Sequence, residues 1–447
     1  MQDKVLVIGG GPAGATAAAL LAKEGFSVRL LERSFFPRYH IGESLASSCH
    51  EFLSMSGALF TVESSGFVLK RGGLLRWEAG DDLILDWCGL FGAAPTWQVD
   101  RDEFDKVLLD HAASVGVEVI QGAKVTKVLF DGDRPYAAEW TQTRSADSTE
   151  EARGTTEFDY LVDASGRAGL LSAQQFKNRR KHEAFRNVAI WGYWAGGDLL
   201  PDTPEGGINQ IADADGWFWV IPLRGGRVSV GKVTDERSFA ARRGGFDSVE
   251  AMLHGVIAES EAVSGLLTGA TFQQPVHVER DYSYVADSFC GPGYYLAGDA
   301  ACFLDPLLST GVHLAMYSAT LAAAAITATA HGDVSDRQAR SFYESMYHDD
   351  YTRMFLLASD LYSRHPATDG AFWSAQRPPV HSQLLGPDSG RALPTLEEVP
   401  ADISTGDYVN IRFSPFPVAW QDPITGLGLV TTPRLGLAQA ADGQTRS

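Results

Sequence analysis

Gly9, Gly11 and Gly14 stand as G-x-G-x-x-G directly after the apolar run Val5-Leu6-Val7-Ile8. Glycine at the first position permits a tight turn, at the second a close approach of pyrophosphate to the backbone, and at the third close packing of a helix on a sheet. The helix that follows offers its unpaired N–H groups to phosphate. Trp217 and Trp219 are two residues apart, so on a strand both indoles project from one face. Ser309-Thr310-Gly311 opens an alanine-rich stretch, with Ser309 as candidate N-cap, and a helix start favours an anion. Lys70 follows Val68-Leu69 and precedes Gly72-Gly73, apolar surroundings that help tune an amine's pKa.

These residues need elements to hold them. Val5 to Ile8 suits a parallel strand buried on both faces; Ala13, Ala17, Leu20 and Leu21 give the next helix one apolar face, and Gly25 ends it. Val28 to Leu31 is a second strand with Glu32 at its end, where an acid hydrogen-bonds a ribose hydroxyl. A glycine triplet alone is weak evidence. Strand, triplet, helix, strand and terminal acid in this order specify a dinucleotide-binding unit of α/β class. The loop Phe36 to Leu45 carries Phe36, Tyr39 and His40, more aromatic than a solvated loop, which points to cover by a ligand or another domain. Val99 to Ala113 reads as an amphipathic helix, and 141–156 as an exposed hairpin tip. Tyr160 to Gly166 is a buried strand entering a small-residue turn, another place for backbone to approach a cofactor. From Phe185 the pattern becomes tryptophan-bearing strands, Val188 to Trp194, Ile208 to Ile211, Trp217 to Pro222 and Val228 to Val233, an antiparallel second domain. The chain returns to the first domain at Gly293 to Ala301. The expected division is 1–175 with 275–335 for the dinucleotide domain and 176–274 for the sheet domain. Part of 60–100 lies near the active site, and a helical and loop-rich C-terminal region, 336–447, loop-rich from Pro366 onward, covers it.

At 447 residues the chain is long enough for more than one substructure. Its net charge of −19 argues against nucleic acid and anionic membrane as partners. Cys49, Cys88, Cys290 and Cys302 show no metal spacing, and the histidines offer no metal pattern. No cationic leader precedes Val5, and Leu314 to Ala330 is short and polar for a membrane span, so a cytoplasmic protein with reduced thiols is expected. Lys177, Asn178, Arg179, Arg180, Lys181 and Arg186 form the one dense basic cluster, a candidate docking surface for an acidic partner.

Together these stretches resemble the flavin monooxygenase superfamily, from Val5 to about Ala330. More narrowly the chain resembles the flavin-dependent halogenases that act on phenols and pyrroles. The motifs are Phe36-Pro37-Arg38 through Gly42-Glu43-Ser44-Leu45, Gly66 through Gly73, Trp217-Phe218-Trp219-Val220-Ile221-Pro222 as W-x-W-x-I-P, and Asp305 through Val312. The W-x-W-x-I-P match is the most specific. The resemblance implies a Rossmann-like FAD domain with a mixed sheet. It implies FAD held by Gly9, Gly11, Pro12, Ala13, Gly14, Glu32, Arg33, Glu43, Ser44, Arg101, Asp163, Gly298, Asp299, Gly311 and Val312. It implies a halide, chloride or bromide, at Ser309, Thr310 and Gly311, and a barrier of Trp217, Trp219, Ile221 and Pro222 between flavin and substrate. In such enzymes reduced FAD and O2 turn halide into hypohalous acid. Lys70 would be the catalytic amine, either hydrogen-bonding hypohalous acid or forming a haloamine. The second glycine triplet that a nicotinamide would need is missing, which implies reduced flavin from a separate reductase. Tryptophan halogenases carry a glutamate where this chain has Leu308, which turns the expectation from free tryptophan toward an electron-rich phenol or pyrrole, free or tethered to a carrier protein. The basic cluster would then dock that acidic carrier. Two alternatives stand beside this reading: a single-component aromatic hydroxylase reduced by NAD(P)H, and a flavoprotein scaffold without turnover.

Overall fold

Val5, Leu6, Val7 and Ile8 are apolar on both strand faces, and both faces are buried. The computed structural model describes residues 3–78, 81–147, 151–363, 365, 371–376, 427–430 and 434–439. In its first part the elements used below are β1 (Lys4–Ile8), α1 (Pro12–Lys23), β2 (Ser27–Glu32), β3 (Val68–Lys70), β4 (Gly72–Glu78), β5 (Asp81–Asp86), α2 (Arg101–Ser114), β6 (Glu118–Gln121) and β7 (Tyr160–Asp163). There follow β8 (Arg179–Ala195), β9 (Ile208–Asp213), β10 (Gly216–Leu223), β11 (Arg227–Asp235), β12 (Thr271–Ala286), β13 (Cys290–Gly291), β14 (Tyr294–Leu296), β15 (Cys302–Phe303), α3 (Gly311–Ala330) and α4 (Asp336–Ser363).

The first sheet has the order β13-β14-β7-β1-β2-β6, parallel except for β13 on β14. Glycine decides the first turn. A Cβ on Gly9, at φ +105°, would sit 2.2 Å from Ala164 O, and one on Gly14 would sit 1.9 Å from Gly9 O. The carbonyl ends of β1, β2 and β7 therefore converge against the start of α1, where open α/β sheets bind ligands.

The second sheet has the order β15-β12-β8-β11-β10-β9-β4-β5. All four strands of this region read from the sequence, two of them bearing tryptophans, lie in it and pair antiparallel. It extends beyond them: β12 flanks β8, and β4 joins β9 in parallel, so Lys70 at the end of β3 is separated from this sheet by Arg71 alone. β12 alternates too weakly to be read as a strand from sequence, with charged residues such as Glu279 and Arg280 along it.

Two expectations are corrected. Ser309 is not the N-cap of α3. It adopts a left-handed conformation, φ 56°, that closes the turn Pro306–Leu308, and Thr310 takes the cap position with no side-chain capping bond. The helix then starts at Gly311 and runs 20 residues, so it is not too short to cross a membrane by length and composition. Protein covers it instead: 94% of its apolar window is buried, beneath α1 and α4, with small side chains allowing close approach. The C-terminal region begins with α4, a helix of 28 residues, and most of the stretch expected to be loop-rich, from Pro366 onward, lies outside the described residues.

Candidate active site

A cavity of about 670 Å³ opens between the two sheets, within the usual size of ligand pockets, roughly 300–1,000 Å³. Gly9, Gly11, Pro12, Ala13, Glu32, Arg33, Glu43, Ser44, Arg101, Gly298, Asp299, Gly311 and Val312 line it, drawn from segments 300 residues apart. The cavity fits a dinucleotide. A Cβ on Gly11 would meet only Arg38 Nη2, at 3.3 Å, so this position is bare backbone facing the space, at a helix start whose N–H groups serve phosphate. Glu32 accepts from Gly10 N at 2.6 Å and from Ser34 N at 2.8 Å, which fixes its carboxylate at the wall with lone pairs to spare for a ribose hydroxyl. Two expected binders do other work. Gly14 is consumed by the packing of α1 on the turn. Asp163 is fully buried and accepts from Ser165 N at 3.0 Å and Leu171 N at 2.8 Å; its carboxylate builds the turn after β7 and does not line the cavity.

The aromatic loop Phe36 to Leu45 straps this cavity to Lys70. Arg101 donates to Ile41 O at 2.8 Å, Val99 N donates to Glu43 O at 2.7 Å, and Arg38 pairs with Asp105 at 3.2 Å. Tyr39 stacks on His277 of β12 at 4.2 Å, so the second sheet does cover the loop. At the far end Lys70 Nζ donates to Ser44 Oγ at 2.7 Å and to Leu45 O at 2.9 Å, and it lies 4.6 Å from the Trp87 ring centre. Lys70 is 1% exposed, and burial pulls its ammonium down to about 7. Glu43, on the same strap, is pushed up to about 7 by burial; it accepts from Tyr193 Oη at 2.7 Å, and its Oε2 is buried without a partner.

Lys70 faces a chamber of about 30 Å³, lined also by Ser47, Trp87, Gln210, Leu307 and Leu308. This is room for a small molecule. The chamber and the large cavity share two wall residues, Ile208 and Ser309. Next to that junction Thr310 is fully buried with its Oγ1 unpartnered. The first bond of α3 runs from Leu314 N to Thr310 O, which leaves the N–H groups of Gly311 and Val312 outside the helix ladder.

Trp217, Trp219 and Ile221 project into the large cavity, as the strand period requires, and Pro222 does not line it. The two indole centres are 6.2 Å apart. Their orientation is fixed by residues that sequence reasoning missed. Trp217 Nε1 donates to Tyr362 Oη at 2.8 Å, and Tyr362 donates to buried Asp305 at 2.8 Å. Trp219 Nε1 donates to Ser229 Oγ at 3.1 Å. Gly231, cross-strand from Trp219, leaves it room: a Cβ there would lie 2.2 Å from the indole. His313 is structural, as expected, held between Ser48 Oγ at 2.7 Å and Asp350 at 2.8 Å. Arg179 of the basic cluster is also structural. It donates to Arg167 O at 2.7 Å and Asp299 O at 2.8 Å, and Arg180 pairs with Asp287, so reversing these charges would disturb folding before docking.

A dinucleotide cavity at the carbonyl ends of a parallel sheet, walled by a tryptophan pair and joined to a buried amine, is the arrangement of a flavoprotein oxidoreductase. Residues 86–385 match the tryptophan halogenase family, and residues 7–37 an NAD(P)-binding Rossmann-like domain. The chain is 43% identical to tryptophan 2-halogenase of Chondromyces crocatus over 84% of its length and 71% of the relative's. It is 37% identical to sulochrin halogenase of Aspergillus terreus, over 80% and 68% of the two chains. The solved structure of the myxobacterial chondrochloren halogenase, an FAD-dependent halogenase, superposes with a TM-score of 0.77 at 34% identity, covering 85% of this chain and 87% of that one. The chain belongs to the flavin-dependent halogenases of the tryptophan halogenase family. It is an FADH2-dependent oxidoreductase that uses O2 and halide on an aromatic substrate, with reduced flavin from a separate reductase; the hydroxylase and scaffold alternatives fall away.

Proposed function

We infer that this enzyme halogenates an electron-rich phenol or pyrrole, and that Lys70 hands the halogen to the ring. The observation that carries the reading is the shared wall of the two cavities at Ile208 and Ser309. Reduced FAD and O2 supply the oxidising power that turns halide into hypohalous acid. Thr310 Oγ1 and the Gly311 N–H are the donors that hold the halide on the cavity side of that wall. Trp217 and Trp219 screen the ring from the cofactor. On the chamber side, Ser44 Oγ and Leu45 O use two positions of Lys70 Nζ, and the third is left for hypohalous acid. A hydrogen bond from Lys70 to its oxygen makes the halogen more electrophilic. The ring carbon then bonds halogen as the O–halogen bond breaks, and the displaced ring proton leaves with hydroxide as water.

Leu308 lines the chamber, and no carboxylate does among the described residues, so no anion assists a poor nucleophile. An already activated ring fits this wall. The name of the Chondromyces relative favours a second reading, the pyrrole ring of an indole. Mass spectrometry on phenols, pyrroles and tryptophan, each free and carrier-bound, with a flavin reductase and chloride or bromide, decides. Halogenated phenol or pyrrole is the expected product, and turnover of tryptophan alone would overturn the first reading.

A further inference from the structure

A second cavity, of about 420 Å³, lies beside the first where the start of β8 meets the end of β12. Its lining is Arg167, Ala173, Lys177, Arg179, Lys181, Arg280, Tyr284 and Phe303. Cationic side chains thus make up most of a cavity wall in a chain of net charge −19. Lys177, Lys181 and Arg280 are exposed at the rim; Arg167 and Arg179 are half-buried. The aromatic side chains support the cations: Arg179 sits 4.3 Å over Tyr284 and Arg167 4.1 Å over Phe303. Glu279 and Asp299 both face Arg167, at 2.8 Å and 3.8 Å, and Asp287 faces Arg180. Arg179 makes its hydrogen bonds to carbonyl oxygens and Ser172 Oγ, all neutral.

Position says which anion the cavity serves. It shares Arg167 and Phe303 with the cofactor cavity and no wall residue with the Lys70 chamber. A carrier protein delivering its ring to Lys70 would be expected to use a surface joined to the Lys70 chamber, and this cavity has no wall residue in common with it. A flavin dinucleotide seated here would already be at its own cavity. FAD brings a doubly charged pyrophosphate toward a protein that repels anions overall, and free reduced flavin must be caught quickly after it leaves the reductase. We propose that the cavity lined by Lys177, Lys181, Arg280, Arg167 and Arg179 is a receiving site for the pyrophosphate of the incoming flavin, from which the dinucleotide passes along Arg167 and Phe303 into the cofactor cavity. A local cationic funnel raises association rates roughly tenfold or more, and the gain falls with salt because the screening length is about 10 Å at 0.1 M.

This rests on FAD being the cofactor of the first cavity, and the test separates the two. Oxidised FAD is mixed with the flavin-free protein in a stopped-flow fluorimeter at low and high salt. The variant carries Lys177→Glu, Lys181→Glu and Arg280→Glu, which spares Arg167 and Arg179 because both are built into the turn between the cavities. The expected result at low salt is an association rate lowered at least tenfold, an unchanged dissociation rate and a flattened salt dependence. Inorganic pyrophosphate should slow association markedly more in the wild type than in the variant, where only the Gly11 turn is left to bind it. The corresponding glutamine triple variant, with an unchanged circular dichroism spectrum, should fall between the two and thereby separate charge from misfolding. An association rate and salt dependence equal to the wild type would overturn the proposal, as would a change confined to dissociation. Gly11→Val serves as the other arm: it should abolish equilibrium FAD binding outright, and its failure to do so would indict the cofactor cavity and not the receiving site.

Discussion

Lys70 and Glu43 sit on either side of Ser44, one bonded to it and one beside it in sequence, and burial shifts both toward neutrality from opposite ends of the scale. Their signs are opposite. Lys70 falls from 10.5 to about 7, so the native state bears the full cost of a buried ammonium below pH 7, and that cost shrinks as pH rises from 7 to 10.5. Glu43 rises from 4.5 to about 7, so its cost is absent below pH 4.5, grows up to pH 7 and is complete above it. Lys70→Met should therefore stabilise the flavin-free protein most at pH 6, by on the order of 4 kcal/mol, and progressively less by pH 9. Glu43→Gln, which keeps an acceptor for Tyr193, should stabilise most at pH 8 and not at all near pH 4. Urea unfolding of both variants across pH checks this, and parallel curves for wild type and Lys70→Met would show that the amine is not desolvated. The same lysine carries the chemical prediction: Lys70→Ala should cut halogenated product at least a hundredfold while reduced flavin is still reoxidised by O2. Near wild-type product would make Lys70 a bystander.

At the scale of elements, the three glycines of the first turn look alike in sequence and differ in the fold. Gly11 faces the cavity, whereas Gly9 and Gly14 face backbone atoms at 2.2 Å and 1.9 Å. Gly11→Val should therefore keep the melting temperature of the flavin-free protein and lose FAD, while Gly14→Val should lower melting itself by several degrees or prevent folding. Equal melting of the two variants would refute the distinction. This turn was legible in the sequence because its interactions are local: strand, triplet, helix and Glu32 fall within 28 residues, Val5 to Glu32. Asp163 was misplaced because a carboxylate after a buried strand serves a cofactor or its own turn equally well, and only Leu171, eight residues on, reveals which. The partners of the basic cluster were hidden for the same reason at longer range. Beyond its near neighbours Ser172 and Arg167, Arg179 engages Asp299 O, and Arg180 engages Asp287, both more than 100 residues away. Likewise the period of β10 predicts where Trp217 points, but Tyr362, which fixes its orientation, lies 145 residues later on α4. Tyr362→Phe removes that acceptor and should leave the fold intact while lowering the yield of product per flavin oxidised, as the indole loses its anchor.

For the whole molecule, the two sheets meet so that their cavities share a wall at Ile208 and Ser309. The first sheet and α3 supply the dinucleotide cavity and the helix start, the second supplies the tryptophan pair, and the strap from Phe36 to Leu45 runs from one cavity to the other. On the proposed reading the oxidant is generated at one place and used at another, and the wall that the two cavities share at Ser309 and Ile208 is where it would cross. Ile208 is 6% exposed on β9, where its side chain already lies near Gly73 on the neighbouring strand. Enlarging it should obstruct the junction without touching the donors of Thr310, the amine of Lys70 or the glycines of the cofactor turn. Ile208→Phe should therefore leave FAD affinity and the rate of flavin reoxidation within about twofold of wild type, and lower halogenated product at least tenfold. The missing oxidant should reappear in solution as hypohalous acid or hydrogen peroxide, measurable with a small-molecule hypohalite trap and a peroxide assay in the same reaction. Product formation that keeps pace with flavin reoxidation in Ile208→Phe would mean that the halogen reaches the ring by another path, and that the shared wall is an accident of packing.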